Sequence, residues 1–300
     1  MTLQLEKIQT ESLDLRPIQF NQVNEILDRN GLNWEVETKP LYLDGGFRTP
    51  FLGVVRTDNN TTFQTVSKVY EPMQNRELVE IGLQISELTG AEMEVTKTLS
   101  NGAVTYISLN GGQTKIEGAK RGDVVGEKIT LVNSHDGSKS FGVGFGHVIL
   151  SCTNGMTRFD RKGFVSIRHT SNMKRKLKDV LNGWKRISQE SSNMIESYKR
   201  LMDKQIGTKE IQKVLEIVAE VDPSASMDSL STRKQNITKS VWESLSSEMS
   251  YKGQTAWGLL NGVTHYTTRI SGKNDSALKS KMFGQTAKKD FTVWNYLNQL

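Results

Sequence analysis

The sequence predicts an α+β fold: antiparallel β-hairpins packed with one helix in the order strand-strand-helix-strands, followed by a helical C-terminal half. Three observations predict it. β-rich runs between residues 34 and 170 are joined by Asp58-Asn59-Asn60, Ser100-Asn101-Gly102 and His135-Asp136-Gly137, each a hairpin-turn signal. One stretch between them places Leu78, Ile81, Ile85 and Leu88 at helical spacing. From residue 171 onward, apolar residues recur in steps of three, four and seven.

Residues 1–30 are polar, with a short helical signal at FNQVNEILDR that stops at Asn30-Gly31. WEVETKPLYL alternates weakly, and FLGVVRT and TTFQTVSKVY follow as a strand pair. The first long helix can be N-capped by Asn75, carries Glu77 in its first turn and ends before Gly90. EMEVTKTL pairs with AVTYISLN, and EKITLVNS with SKSFGVGFGHVILSC. A long amphipathic helix is then expected from Met173 to Met202, interrupted at Gly183 and stopped by Gly207. The next starts at Thr208, turns Ile211, Val214, Leu215 and Val218 inward and ends at Asp222-Pro223. Three more helical segments lie near 233–249, 254–269 and 286–299. The expected organisation is an N-terminal extension (1–30), an α+β core (31–170) and a helical region (171–300).

The 300 residues are 36% apolar and 24% charged, outside the disordered class. The single cysteine, Cys152, forbids an internal disulfide framework and fits a reducing compartment. MTLQLEKIQTESLDLRP lacks the apolar segment of a signal peptide, and no run reaches the ~18 apolar residues of a membrane span. A cytoplasmic protein without a membrane partner is expected.

Charge is distributed unevenly. The chain carries +6, but residues 156–186 hold ten basic side chains against Asp160 and Asp179, a local +8 that leaves −2 for the remainder. Lys174, Lys178 and Lys185 share a helix face, flanked by Arg175 and Arg186, with Leu177, Val180, Leu181 and Trp184 on the other side. A run of charge can simply be a solvated face. This one exceeds what solubility requires and reads as a phosphate-binding stripe, with Arg158, Arg161, Lys162, Arg168 and His169 beside it. Phe159 and Phe164 interleave with the cluster as candidates for stacking on bases.

Just upstream, FGVGFGH places glycine at 142, 144 and 146. A dinucleotide loop requires G-x-G-x-x-G opening a helix; here strand-forming residues continue through His147-Val148-Ile149-Leu150. The stretch is therefore a strand with Gly142, Gly144 and Gly146 on one face. Such a face admits close approach by a neighbouring protein segment or by a nucleic-acid backbone in a groove.

Catalytic and metal constellations are not found. His135-Asp136 reads as part of a turn, the four histidines lack ligand spacing, and His147 reads as a packed strand residue. Glu37-Thr38-Lys39 has only Asp28 as a nearby upstream acid, which makes a poor Mg²⁺ site. There is no P-loop sequence and no G-x-S-x-G. No cofactor is implied.

The set GLNWEVE (31–37), YEPMQNREL (70–78), LVNSHDGS (131–138), CTNGM (152–156), IRHT (167–170) and TAWGLLNGVTHY (255–266) resembles the phage/plasmid-like protein family, a domain family of unknown function, in the same order from about residue 31 to 297. The resemblance implies a bacteriophage or mobile-element origin and action in a bacterial host's cytoplasm; it supplies no reaction. In layout alone, the chain is similar to single-strand annealing recombinases of the RecT and lambda Beta type, which assemble into rings or filaments around one DNA strand. The expectation is a non-enzymatic protein that binds and anneals single-stranded DNA (or RNA) as a homo-oligomer. The rival expectations are a metal-dependent nuclease and a factor that binds a host protein.

Overall fold

The structure, a computed structural model, describes residues 20–117, 122–149, 154–158, 163–170, 189–222, 224–272 and 274–300. It is α+β, with antiparallel sheets and with helices in the C-terminal half. The chain divides into two compact units: Met1–Gly112, Lys128–Phe145 and Asp160–Ser188 form the first; Gln113–Glu127, Gly146–Phe159 and Gln189–Leu300 form the second. The division differs from the cut expected near residue 170, because segments 113–127 and 146–159 are counted with the C-terminal helices.

The first unit opens with α1 (Phe20–Arg29). Val23 and Leu27 are buried, so this part of the expected polar extension belongs to a core. Gly31, at φ +63°, ends the helix, and Asn30 Nδ2 donates to the Ile26 carbonyl. A three-stranded sheet follows: β1 (Val36–Tyr42), β2 (Arg48–Arg56) and β3 (Thr62–Val66), all antiparallel. Trp34, Val36, Val54 and Val66 form its buried core, with Leu52, Phe63 and Tyr70 packed against them.

Helix α2 (Asn75–Thr89) buries Leu78, Val79, Ile81 and Ile85, whereas Leu88 is exposed. Its N-cap is Gln74 instead of Asn75, and Glu77 reaches back to accept the Gln74 N–H at 2.9 Å. Gly90, in the left-handed conformation, closes the other end.

The second sheet has the order β4 (Glu92–Leu99), β5 (Val104–Ile116), β6 (Asp123–Ser134), β7 (Phe141–Ile149), β8 (Asn154–Arg158), with β9 (Phe164–Ile167) also paired to β7. The expected turns hold: Ser100, Asn101 and Gly102 all have positive φ, as does Gly137.

The second unit contains the described helical residues 189–203 (α3), α4 (Thr208–Ala219), α5 (Thr232–Lys252), α6 (Ala256–His265), α7 (Asp275–Phe283) and α8 (Gln285–Asn298). Helix α3 buries Met194, Ile195, Tyr198, Leu201 and Met202, the face its spacing predicts. Helix α4 buries Val214 and Val218, with Ile211 and Leu215 half-buried. A π-helical turn, Tyr266–Ile270, extends α6. Side chains added at Gly258 and Gly262 would strike α5 and the residue after it: Leu245 Cα lies 2.6 Å from a Cβ at Gly262, and Met249 Cα 3.3 Å from one at Gly258. These glycines let the two helix backbones pack closely.

Candidate nucleic-acid interface

Strand β7 carries the glycine row. It pairs with β9 from Phe141↔Ile167 to Gly144↔Phe164. Residues 141–147 are all buried, so both faces of this stretch are covered. At Gly142 the covering group is identified: a Cβ there would overlap the Phe164 ring and lie 2.7 Å from the Val165 carbonyl oxygen. Of the two occupants expected for the glycine face, the structure places protein at Gly142, not an open groove. Phe164, expected to stack on bases, lies against Gly142 and is half-buried.

Beyond β9 the chain alternates sharply. Arg168 is exposed and His169 is 8% exposed. His169 Nε2 accepts the Phe141 N–H at 3.2 Å, so its proton sits on Nδ1, which donates to the Tyr70 hydroxyl at 2.9 Å. Burial holds its pKa at about 4. The expectation that His169 meets phosphate is corrected: it is neutral, buried, and both nitrogens are engaged. Buried His169 thus follows exposed Arg168. Burial, with the nearby Asp136 charge, pushes the Tyr70 phenol up to about 12, opposed by a hydrogen bond with Gln64. Tyr70 therefore stays protonated.

The motif segments of the first unit meet around this point through polar side chains. The Gln74 amide grips the Val36 backbone at both ends, accepting its N–H at 2.9 Å and donating to its carbonyl at 2.8 Å. Asn75, freed from capping, donates to the Leu32 carbonyl (3.2 Å) and accepts from Thr105 Oγ1 (3.0 Å). Asn133 donates to the Met73 carbonyl at 3.0 Å. His135 is wholly buried between Trp34 (5.5 Å, edge-on) and Phe63 (5.6 Å, stacked), and burial lowers its pKa to about 3. Arg56 lies 4.2 Å above the Trp34 ring and forms a two-pronged ion pair with Asp58. Sequence reading found these segments as motifs but missed the network, since nothing in the spacing of Gln74 and Val36 signals contact over 38 residues.

The second unit has its own buried polar centre. His147 Nε2 lies 2.9 Å from Ser191 Oγ and its Nδ1 3.1 Å from the Tyr198 hydroxyl; burial lowers its pKa to about 3. It is the packed strand histidine expected. Asp123 Oδ2 accepts from Lys252 Nζ at 2.5 Å and from Trp257 Nε1 at 2.9 Å, both cationic and anionic side chains being almost fully buried. Asp290 is held by Lys281 and by Thr267 Oγ1 (2.8 Å), a residue of the π-turn; burial raises its pKa against both partners.

Of the remaining expected phosphate contacts, Arg158 ends β8, and Arg161, Lys162, Lys174, Arg175, Lys178, Lys185 and Arg186 lie outside the described residues, as does the stacking candidate Phe159. Among the described residues no group of three or more His, Cys, Asp or Glu could hold a metal ion. Glu37 pairs with Lys39 at 2.8 Å, and Asp28 accepts from Asn33. No described helix is long and apolar enough to cross a membrane.

Antiparallel sheets with one packed helix, a helical C-terminal half and polar side chains that tie distant motif segments together define an α+β protein. The chain belongs to the family described as "Domain of unknown function (DUF932)", whose model matches residues 62–291. No curated protein and no solved structure matches it.

Proposed function

We propose that the protein binds single-stranded nucleic acid, DNA foremost, and anneals complementary strands as a homo-oligomer without catalysing a covalent reaction. The observation that carries this reading is the concentration of charge: +8 over residues 156–186 in a chain of +6. Each cation placed on a phosphate releases a condensed counterion, so a cluster of this size supplies affinity without sequence readout. The outward Arg168, flanked by the inward-locked His169, is the described residue of this cluster that is presented to solvent. Arg158, Arg161, Lys162, Lys174, Arg175, Lys178, Lys185 and Arg186 complete the phosphate-binding set in this reading. The resemblance of the motif set supports an origin in a phage or mobile element, acting in the bacterial cytoplasm.

The test is a titration of labelled oligo(dT) and oligo(rU) at several salt concentrations, followed by mixing with complementary strands. Log affinity should fall with log salt by about 0.7 for each phosphate neutralised on a single strand. Reversal of Lys174, Lys178 and Lys185 to Glu should abolish binding, and wild-type protein should speed duplex formation. Absence of strand binding at low salt overturns the reading. Mg²⁺-dependent cleavage that disappears with Glu37→Ala would establish a nuclease instead. Retention of one host protein in nuclease-treated lysate, without strand binding, would establish a host-directed factor.

A further inference from the structure

His135, in the turn between β6 and β7, is buried with both ring nitrogens unsatisfied: among the described residues neither Nδ1 nor Nε2 has a hydrogen-bond partner. A neutral imidazole carries one donor and one acceptor, and burying both unmet is costly. What covers it is the three-stranded sheet. Trp34, on the approach to β1, and Phe63 of β3 close over the imidazole, with ring centroids at 5.5 and 5.6 Å. This sheet has a small core of its own, drawn among the described residues from positions 34–70: Trp34, Val36, Val54 and Val66, with Leu52, Phe63 and Tyr70. It can therefore move away from the β6–β7 turn without losing its own packing. At the joint, Gln74 holds the Val36 backbone by two hydrogen bonds, Gly102 lies against Trp34 and Arg56, and Gly137 lies against Gln64.

A covered and an uncovered His135 differ in their affinity for a proton. Covered, the imidazole has aromatic rings against it and no acceptor for a second N–H, and burial lowers its pKa to about 3. Once the sheet lifts, water hydrates both nitrogens and the pKa returns toward the ordinary value of about 6.5. The surrounding charges do not reverse this. Asp136 in the same turn favours the cation, and His169 after β9 opposes it. Arg56 of β2 is held on Asp58 by two hydrogen bonds, and Tyr70 stays protonated. The β3 segment from Thr61 to Ser67 and the β4–β5 turn from Ser100 to Ala103 carry no charge. Protons thus bind the open form more tightly than the closed one, and by linkage they draw the equilibrium toward opening.

We propose that the three-stranded sheet β1–β3 is a proton-sensitive lid, which lifts from the β6–β7 turn and is held open when His135 takes up a proton. Opening bares the imidazole and the faces of Trp34 and Phe63 that cover it. The device lies apart from the basic cluster of residues 156–186, so it stands or falls independently of strand binding.

The test is hydrogen–deuterium exchange of the full chain at pH 7.5 and 5.5, read by mass spectrometry and corrected for the pH dependence of intrinsic exchange, beside His135→Leu and Gln74→Ala variants. With a pKa of about 3 closed and about 6.5 open, opening of the peptides over residues 36–66 should rise about tenfold between the two pH values. Peptides over residues 78–85 of α2 should open more rarely than the lid at both. Leucine leaves no orphaned nitrogen and no proton site, so His135→Leu should protect residues 36–66 better than wild type and abolish their pH response. Gln74→Ala removes the grip on Val36; it should raise opening of the lid at both pH values and keep the tenfold ratio. A wild-type lid whose opening does not respond to pH overturns the proposal, as does a folded His135→Leu variant with an unchanged response. Equal opening of residues 36–66 and 78–85 marks global unfolding and overturns it as well. Should His135→Leu fail to fold, the wild-type ratio and the Gln74→Ala variant decide the matter.

Discussion

At the scale of single residues, the sharpest constraint is at Gly142. A methyl group there would meet the Val165 carbonyl and the Phe164 ring, one of them rigid backbone. Gly142→Ala should therefore destabilise the protein by about 1–3 kcal/mol, read as a drop in the urea midpoint. The histidines give a second prediction. His135, His147 and His169 have folded pKa values of about 3, 3 and 4, below the 6.5 of an unfolded chain. As pH falls from 6.5 toward 4 the unfolded chain takes up protons that the folded one refuses, so stability is lost over that window and is fully present above it. The loss amounts to at most about 1.4 kcal/mol per pH unit for each group. Urea midpoints should fall between pH 7.5 and 5.5, before most carboxylates titrate, and His147→Gln should reduce that fall. Lys252 and Asp123 supply a third: Asp123→Asn leaves a buried ammonium without its anion and should cost about 3–5 kcal/mol.

At the scale of elements, the turns were the most legible part of the sequence. Asn101-Gly102 and Asp136-Gly137 demand positive φ, and only a few residue types tolerate it, so composition and geometry are tightly coupled there. The amphipathic faces of α2, α3 and α4 were legible for the same reason: burial selects side chains at a fixed period. The end of α2 shows where this fails. Asn75 is a good capping residue by propensity, but Thr105 and the Leu32 carbonyl claim its amide, and Glu77 caps from inside. Helix α7, DSALKSKMF, escaped notice because it buries only Phe283 and has almost no apolar face. The short strands β8 and β9 lack enough residues to show a period. Around the candidate interface the sequence located the charge, but it placed His169 among the phosphate ligands. A buried partner such as Tyr70, 99 residues away, leaves no local trace. The α5–α6 contact gives a prediction at this scale: Gly262→Leu must separate the two helices, since the nearest atom is the Leu245 backbone, and should lower the melting temperature by several degrees.

At the scale of the molecule, each compact unit is assembled from three separate stretches of chain. The cut near residue 170 suggested by the change of sequence period thus differs from the division into compact units, which places residues 160–188 with the first and 113–127 and 146–159 with the second. A fragment spanning residues 171–300 lacks Asp123, the counter-ion of Lys252 and acceptor of Trp257, and lacks β8. Expressed alone it should be unfolded by circular dichroism, and co-expression with residues 1–170 should restore its helical signal. The family to which the chain belongs is defined over residues 62–291, which include both His169 with its supports and the Asp123–Lys252–Trp257 centre.

The burial of Lys252 has one more consequence, in chemical reactivity. A lysine is acylated through its neutral amine, and Lys252 offers reagents an ammonium that is 1% exposed and 2.5 Å from a carboxylate. An amine-directed label applied to the native protein should modify exposed lysines such as Lys199 and leave Lys252 untouched. Its labelling would then begin only when the surrounding helices open, which turns one ordinary side chain into a built-in clock for how often they do.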